Sequence, residues 1–404
     1  MLFSLAWKNV WRNKKRSLII LAAIAVGLGS GLFASAVMYG MWDSTVNTSI
    51  NRDLGHIQIH TAAFQQDALI GNFIPDFNAA VTIIRNEPAV VGVACRTIIE
   101  GMASSATSSS GVKILAIDPT IEKTVSDLYT NMIDGQYFDT EKSNPIVIGK
   151  TLAGKLDLHL NSKIVLSFQG PDESIIYNAF RIVGIFDTES SIFDGTNVFI
   201  LQNDLFSLLD VQPFVHEIAV RLNTIKNLEP ALLTVQTALP TLKVESWKKL
   251  APELSLMYDL LTLYLNIFLG IILFALLFGI TNTMLMAVID RVREFGVLIA
   301  VGLKRKKLAA LIMLETIVLS ISGGAVGILL GVILIRIFAA TGINLAFLAK
   351  GLSSLGVSSM LYPSLPFSTY LTLTGMIIVT AILSAIVPAR KAIKLNPSSA
   401  IRTY

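Results

Sequence analysis

Residues 260–289 read LLTLYLNIFLGIILFALLFGITNTMLMAVI, thirty positions without one Asp, Glu, Lys or Arg. At about 1.5 Å of helical rise per residue the run exceeds the roughly 30 Å hydrocarbon thickness of a bilayer, so it reads as a membrane span and not a core helix. Three further stretches are long and apolar enough to span: 17–42 near the N-terminus, 308–340 and 368–387. The first exceeds the roughly 7–15 apolar residues of a signal peptide, despite the cleavage-like Ala34-Ser35-Ala36, and is expected to stay uncleaved. The mean hydropathy of +0.65 fits this reading.

Basic residues set the orientation. Residues 1–16 carry Lys8, Arg12, Lys14, Lys15 and Arg16; the loop 290–307 carries Arg291, Arg293, Lys304, Arg305, Lys306 and Lys307; the tail 388–404 adds Arg390, Lys391, Lys394 and Arg402. Only Asp290 and Glu294 oppose them there, and the loop 341–367 holds one base, Lys350. The bias places both termini in the cytoplasm, as in a multi-pass protein of a bacterial inner membrane. The segment 43–256 then lies outside, with 24 acidic and 15 basic residues, so the overall charge of +4 is no sign of a nucleic-acid partner. Cys95 is alone and forms no intrachain disulfide, which leaves this domain to be held by its core.

Within it, alternating or compact apolar runs predict strands at 55–60, 114–117, 146–148, 163–168, 182–186 and 217–222, and helical patterns fall at 76–86, 149–158, 204–210 and 228–238. The Ser/Gly-rich run 104–111 is expected to be a mobile loop. The fold class is thus a membrane protein with four transmembrane α-helices, one N-terminal and three C-terminal, and a large extracytoplasmic α+β domain, of one or two subdomains, between the first and second spans.

No catalytic residue is assigned. Gly149-Lys150-Thr151 resembles the end of a phosphate-binding loop, but Asn144 stands where its first glycine belongs. His216-Glu217 begins a zinc-protease pattern that Val220 breaks. His56 and His60 could share a strand face, yet read as solvent-facing histidines, so no metal is expected.

The head, 2–11, sets Leu2, Phe3, Ala6, Trp7, Val10 and Trp11 on one helical stripe with Lys8, Asn9 and Arg12 opposite, as in a helix lying on anionic lipid. Gly27 and Gly31 in the first span, and Gly323, Gly327 and Gly331 in the third, form small-residue faces for close helix packing in a bundle or a dimer. Glu315 is an acid inside the third span; a solitary carboxylate makes a poor proton relay, so a structural partner is expected for it. The segment Asp290-Arg291-Val292-Arg293-Glu294-Phe295-Gly296-Val297-Leu298-Ile299-Ala300-Val301-Gly302 leaves the second span as a short helix. Its apolar face of Phe295, Val297, Leu298 and Val301 suits a groove on another protein.

Over almost its whole length the chain resembles the FtsX-like permeases of the MacB, LolC and LolE kind, membrane subunits of type VII ABC transporters. The resemblance rests on the one-plus-three spans, Ala6-Trp7-Lys8-Asn9-Val10-Trp11-Arg12, the 290–302 loop, Glu315 ahead of the glycine stripe, and the tail motifs Pro388-Ala389-Arg390-Lys391-Ala392, Asn396-Pro397 and Ala400-Ile401-Arg402. Ile299 departs from it, since the family more often carries a basic residue there. The resemblance implies that a separate cytoplasmic ABC ATPase, holding ATP and magnesium that this chain does not bind, engages Asp290, Arg291, Arg293, Glu294, Phe295, Gly296, Leu298 and Gly302. A second permease copy, identical or sister, is implied, with membrane lipid around it and a periplasmic substrate acceptor as a further partner. Lipoprotein release is the function it implies first. Export of peptides or antibiotics, and regulation of a cell-wall hydrolase in the manner of FtsX, are the alternatives; a membrane-anchored enzyme stands last.

Overall fold

The computed structural model describes residues 2–12, 14–138, 143–354 and 356–394 of the chain; the tail motifs beyond 394 lie outside the described residues. Four transmembrane helices run Lys14–Ser49, Pro252–Asp290, Arg305–Thr341 and Phe367–Ile393. The second has 39 residues and rises about 58 Å, nearly twice the hydrocarbon thickness, so it extends well past its apolar run. The first-span helix runs on through the polar stretch from Asp43 to Ser49, where a π-turn, Ile50–Leu54, continues it.

The chain divides into two compact units. The spans form one, with residues up to Met41, Asp259–Asn344 and the described residues from Met360 onward. Its core threads the first span through the others: Ile24, Leu28 and Leu32 are buried with Leu269, Leu273, Val318, Leu319, Leu373 and Ile377. The glycines explain the closeness. A Cβ at Gly323 would lie 2.9 Å from Ile24, at Gly327 2.9 Å from Leu28 and at Gly331 2.7 Å from Leu32, so the third-span stripe is the seat of the first span. Gly27 and Gly31 face Leu276 and Ile272 of the second span.

The other unit, Trp42–Tyr258 with Leu345–Ser359, carries ten strands among its described residues: β1 (Ile57–His60), β2 (Val90–Ser104), β3 (Ser109–Ile117), β4 (Met132–Gly135), β5 (Pro145–Gly149), β6 (Lys163–Gln169), β7 (Ile175–Phe186), β8 (Asn197–Leu201), β9 (Glu217–Leu222) and β10 (Lys243–Ser246). They run in the order β10-β1-β9-β2-β3-β8-β5-β7-β4, with β6 bridging β2 and β7. The pairs β3–β8 and β5–β7 are parallel and the others antiparallel. The long β2 changes partner midway. Val90 to Arg96 pair with β9, and Thr97 to Ser104 pair with β3.

Two cores lie on either side of that change. One joins Ile57, Ile59, Val93, Ile218, Val220 and Trp247 to Val46 and Ile50 from the end of the first-span helix, and to the helices Phe77–Arg85 and Leu228–Ala238. The other gathers Ile99, Ile114, Ile146, Ile148, Leu166, Phe180 and Ile200 under the helix Lys150–Leu156.

Only 105–108 of the run 104–111 is a loop; the rest is strand. The run is a tight hairpin in which Ser104 pairs with Ser109 and Ala103 with Ser110, and the backbone amide of Ser105 donates to Ser108 O. Serine and glycine are turn formers, but here the strands on both sides extend into the run. The segment between the third and fourth spans also does more than connect. Its residues 345–359 pack with the domain, where Ser191 Oγ donates to the Ser353 carbonyl at 3.3 Å.

Candidate functional site

The basic edge of the bundle holds a charge network built on the short helix Val292–Ala300. Arg291, just before it, donates from Nε to Glu294 Oε2 at 3.0 Å and from Nη1 to Glu315 at 3.2 and 3.3 Å, while its guanidinium lies 5.0 Å from the Phe295 ring centroid. The buried span acid therefore has a basic partner from the loop. A charge this deep is tolerated only when paired in this way. Glu294 also accepts from Arg12 of the head helix, and that bond holds its carboxyl below the usual range. Arg16 ties the start of the first span to the end of the second, donating to Asp290 Oδ2 at 3.0 Å and to the Thr283 carbonyl at 2.7 Å. Ion pairs thus tie the head to the loop helix, the start of that helix to the third span, and the first span to the end of the second.

The apolar face of the loop helix divides differently from the sequence expectation. Phe295 is 2 % exposed and packs with Val288, Leu308, Ile312 and Ala392, so it is unavailable to a partner. It serves the bundle because the helix must be seated before it can present anything. Gly296 is buried too. What remains open is Val297 at 48 %, Leu298 at 41 % and Val301 at 82 %, beside exposed Arg293. Ile299 is partly buried against the Phe295 cluster, a place where an apolar residue fits better than a base.

Gly302 has a conformational task. Its φ of +102° closes the helix, with the Gly302 amide donating to Ile299 O and the Leu303 amide to Leu298 O, both at 3.0 Å. That is the bond pair of a glycine-terminated helix end.

The head helix, Leu2–Arg12, buries Ala6 and Val10, and Ser17 Oγ donates to the Val10 carbonyl. Trp7 and Trp11 stay 47 % and 41 % exposed, edge to face at 6.2 Å, with Lys8 exposed and Asn9 half-buried. The stripe read as one apolar face is therefore split between bundle and surroundings.

In the domain, His56, His60 and His216 are buried and not solvent-facing. His56 Nδ1 accepts from the Leu222 amide at 3.3 Å, and burial pushes its pKa down to about 4. His216 Nδ1 accepts from the Ile98 amide at 3.0 Å, which leaves Nε2–H to donate to the Ile70 carbonyl at 3.0 Å; burial lowers this group as well. His60 Nε2 lies 3.2 Å from Gln58 Oε1. These engagements differ from one histidine to the next and make no ligand set. Among the described residues no group of three or more His, Cys, Asp or Glu is placed to hold a metal.

A buried ion triad escaped the reading of the sequence. Arg96, 2 % exposed, donates to Glu122 at 2.6 Å and to Glu217 at 2.7 Å, and both acids are nearly as buried. An arginine inside the apolar run Val-Val-Gly-Val-Ala-Cys-Arg-Thr-Ile-Ile, 90–99, was the available signal, because a strand this apolar can hold a guanidinium only if acids come to meet it.

Comparison with known proteins places these parts. A family model described as MacB-like periplasmic core domain matches residues 17–236, and one described as FtsX-like permease C-terminal matches 266–397. Among curated relatives, the macrolide export ATP-binding/permease protein MacB of Wolinella succinogenes is 24 % identical over 55 % of this chain and 33 % of its own length. That of Agrobacterium fabrum is 22 % identical over 98 % of this chain and 60 % of its own length. The chain thus spans about a third of the length of the first curated relatives it matches. The periplasmic region of MacB from Actinobacillus actinomycetemcomitans aligns with 52 % of this chain and 98 % of its own at a TM-score of 0.36 and 9 % identity.

Proposed function

This chain belongs to the FtsX/MacB-type permease family, and from that premise we propose that it is the membrane subunit of an ABC transporter whose outer domain is moved by a separate cytoplasmic ATPase. The observation that carries the reading is the loop helix. Its inner side is fixed by Phe295, Arg291 and Glu315, and its outer side offers Val297, Leu298 and Val301 with Arg293 at their edge. An anchored apolar patch ringed by charge is what a partner protein docks on, since exposed aliphatics gain from burial and the rim sets register. ATP and magnesium belong on that partner, both termini on its side of an inner membrane, and the domain on the opposite side. A second permease copy completes the assembly, and the head helix with Trp7 and Trp11 contacts lipid.

Export of an antibiotic of the macrolide kind is the substrate reading that the named relatives favour. Lipoprotein release, implied by the likeness to LolC and LolE, is the alternative. Reconstitution in vesicles with a separate ABC ATPase from the same organism tests the proposal. ATP hydrolysis is expected to rise several-fold when the permease is added, and tags on the termini should be sealed from proteases that reach the domain. Unchanged hydrolysis, or termini and domain on one side, would sink it. Release of a lipoprotein from the vesicles, as against transfer of a small solute, separates the two substrates.

A further inference from the structure

The cations on the basic edge of the bundle fall into two groups. Those of the first are spent on acids: Arg16 on Asp290, Arg12 on Glu294, and Arg291 on Glu294 and Glu315. The second group comprises Lys304, Arg305, Lys306 and Lys307 at the start of the third span, with Arg390, Lys391 and Lys394 at the end of the fourth, all of them exposed. Residues 303–314 and 379–394 contain no Asp or Glu, and among the described residues none of these cations makes an ion pair. The two helix ends are held side by side. Arg305 Nη1 donates to the Ile393 carbonyl at 3.1 Å, and Leu308 is buried in one cluster with Ala392. Like charges gathered in this way repel one another, and the chain supplies no counter-charge for them.

We infer that this cluster binds the headgroup of an anionic glycerophospholipid, whose acyl chain lies along the fourth span. Val379, Leu383 and Val387 follow one another at four-residue steps, each about half exposed, and Lys391 is the next step of the same stripe. Ala389 and Ala392 are buried on the side turned to the bundle. An exposed aliphatic stripe that ends on a cation matches a lipid, with the chain against the stripe and the phosphate against the cation. A protein partner matches it less well, because the stripe runs back about 18 Å from Lys391 to Val379 and so stays within the hydrocarbon. Arg305 commits one N–H to Ile393, and its guanidinium keeps further donors for a phosphate oxygen. Lys306 and Lys307 add two point charges beside it. The first group of cations cannot serve in this way, since carboxylates already face them.

The lipid site does not rest on the transporter reading, and its test needs no transport. The full chain is placed in phosphatidylcholine nanodiscs carrying a phosphatidylglycerol with a photoreactive acyl chain, and the labelled peptides are identified. Labelling of residues 379–387 should exceed that from the matching photoreactive phosphatidylcholine about tenfold. Arg390→Gln with Lys391→Gln should bring it down to the phosphatidylcholine level, and Lys306→Gln with Lys307→Gln should lower it in part. Lys14→Gln with Lys15→Gln removes as much charge from the same edge and should leave it unchanged. Equal labelling by the two lipids, or an equal fall in the Lys14/Lys15 variant, would make the edge a diffuse field and overturn the site. Complete displacement by millimolar inorganic phosphate would make it a site for free anions, and displacement by an added ABC ATPase would give the cluster to that protein; either result overturns the lipid assignment. If the Arg390/Lys391 variant does not fold, the Lys306/Lys307 variant decides, and unchanged labelling there sinks the site.

Discussion

Arg291 holds Glu315 in a two-bond contact at 3.2 and 3.3 Å, across the boundary between the loop helix and the third span. The consequences of removing either partner are unequal. Arg291→Leu leaves a buried carboxylate without its cation, which costs about 3–5 kcal/mol unless the acid takes up a proton. Glu315→Gln keeps an acceptor for the guanidinium and is expected to lower the thermal midpoint in detergent by only a few degrees. The double change Arg291→Leu with Glu315→Leu should recover most of the loss of the single arginine change, because no orphaned charge remains. A double variant no more stable than Arg291→Leu would show that the pair does not act as a unit.

The split of the loop helix predicts two kinds of defect. Leu298→Asp and Val301→Asp, at exposed positions, should abolish co-purification of the ATPase and leave stability within about 1 kcal/mol of the parent. Phe295→Ala empties a fully buried site and should cost about 3–5 kcal/mol of bundle stability, with partner binding lost as a secondary result. Measuring both properties on each variant tests the division. Loss of binding by Phe295→Ala at full stability would mean that the ring itself meets the partner.

How much of this could be read from residues alone depended on whether the signal was local. The strand Glu217–Leu222 and the helix Leu228–Ala238 coincide with their periodic patterns, and Asp76 caps its helix as its side chain suggests. The spans followed from length and the absence of charge. What stayed hidden is long-range. That Arg12 would meet Glu294, or Arg96 meet Glu217, depends on chain crossings that no window of sequence contains. The histidines failed for the same reason: alternation over 55–60 suggested one strand face for His56 and His60, but β1 begins at Ile57, and the strands on both its flanks with the core make His60 and the adjoining His56 interior. The loop-helix face misled because an apolar stripe does not say which part is kept for the protein's own bundle.

The glycine stripe gives a packing test. A side chain at Gly327 would meet Leu28 Cβ at 2.9 Å and the Ala25 carbonyl at 3.1 Å, neither a flexible end that can swing away. Gly327→Leu should therefore force the first and third spans apart, at about 1–3 kcal/mol or more, and lower the thermal midpoint accordingly. Gly375→Ala, where nothing lies within 4 Å, should be neutral. Equal effects at the two positions would show that the contact with the first span does not govern stability.

Acid should weaken the domain through its buried histidines. His56 has its pKa pushed down from 6.5 to about 4 by burial, with the Arg221 charge adding to the effect. A base with a depressed folded value binds fewer protons folded than unfolded. Its stabilising contribution is thus present above about pH 6.5 and is lost as pH falls toward 4. From those two values the loss for His56 alone is about 2 kcal/mol at pH 5. His60 and His216, also lowered by burial, change in the same direction. His56→Asn preserves an acceptor near the Leu222 amide and cannot titrate, so the variant should lose less stability between pH 7.5 and pH 5 than the parent does. Thermal midpoints of the full chain at the two pH values measure this. Parallel losses in parent and variant would assign the acid sensitivity to other groups, with Glu217 next in line: burial raises it, but Arg96 holds it low overall, so protonation there also costs stability as pH falls.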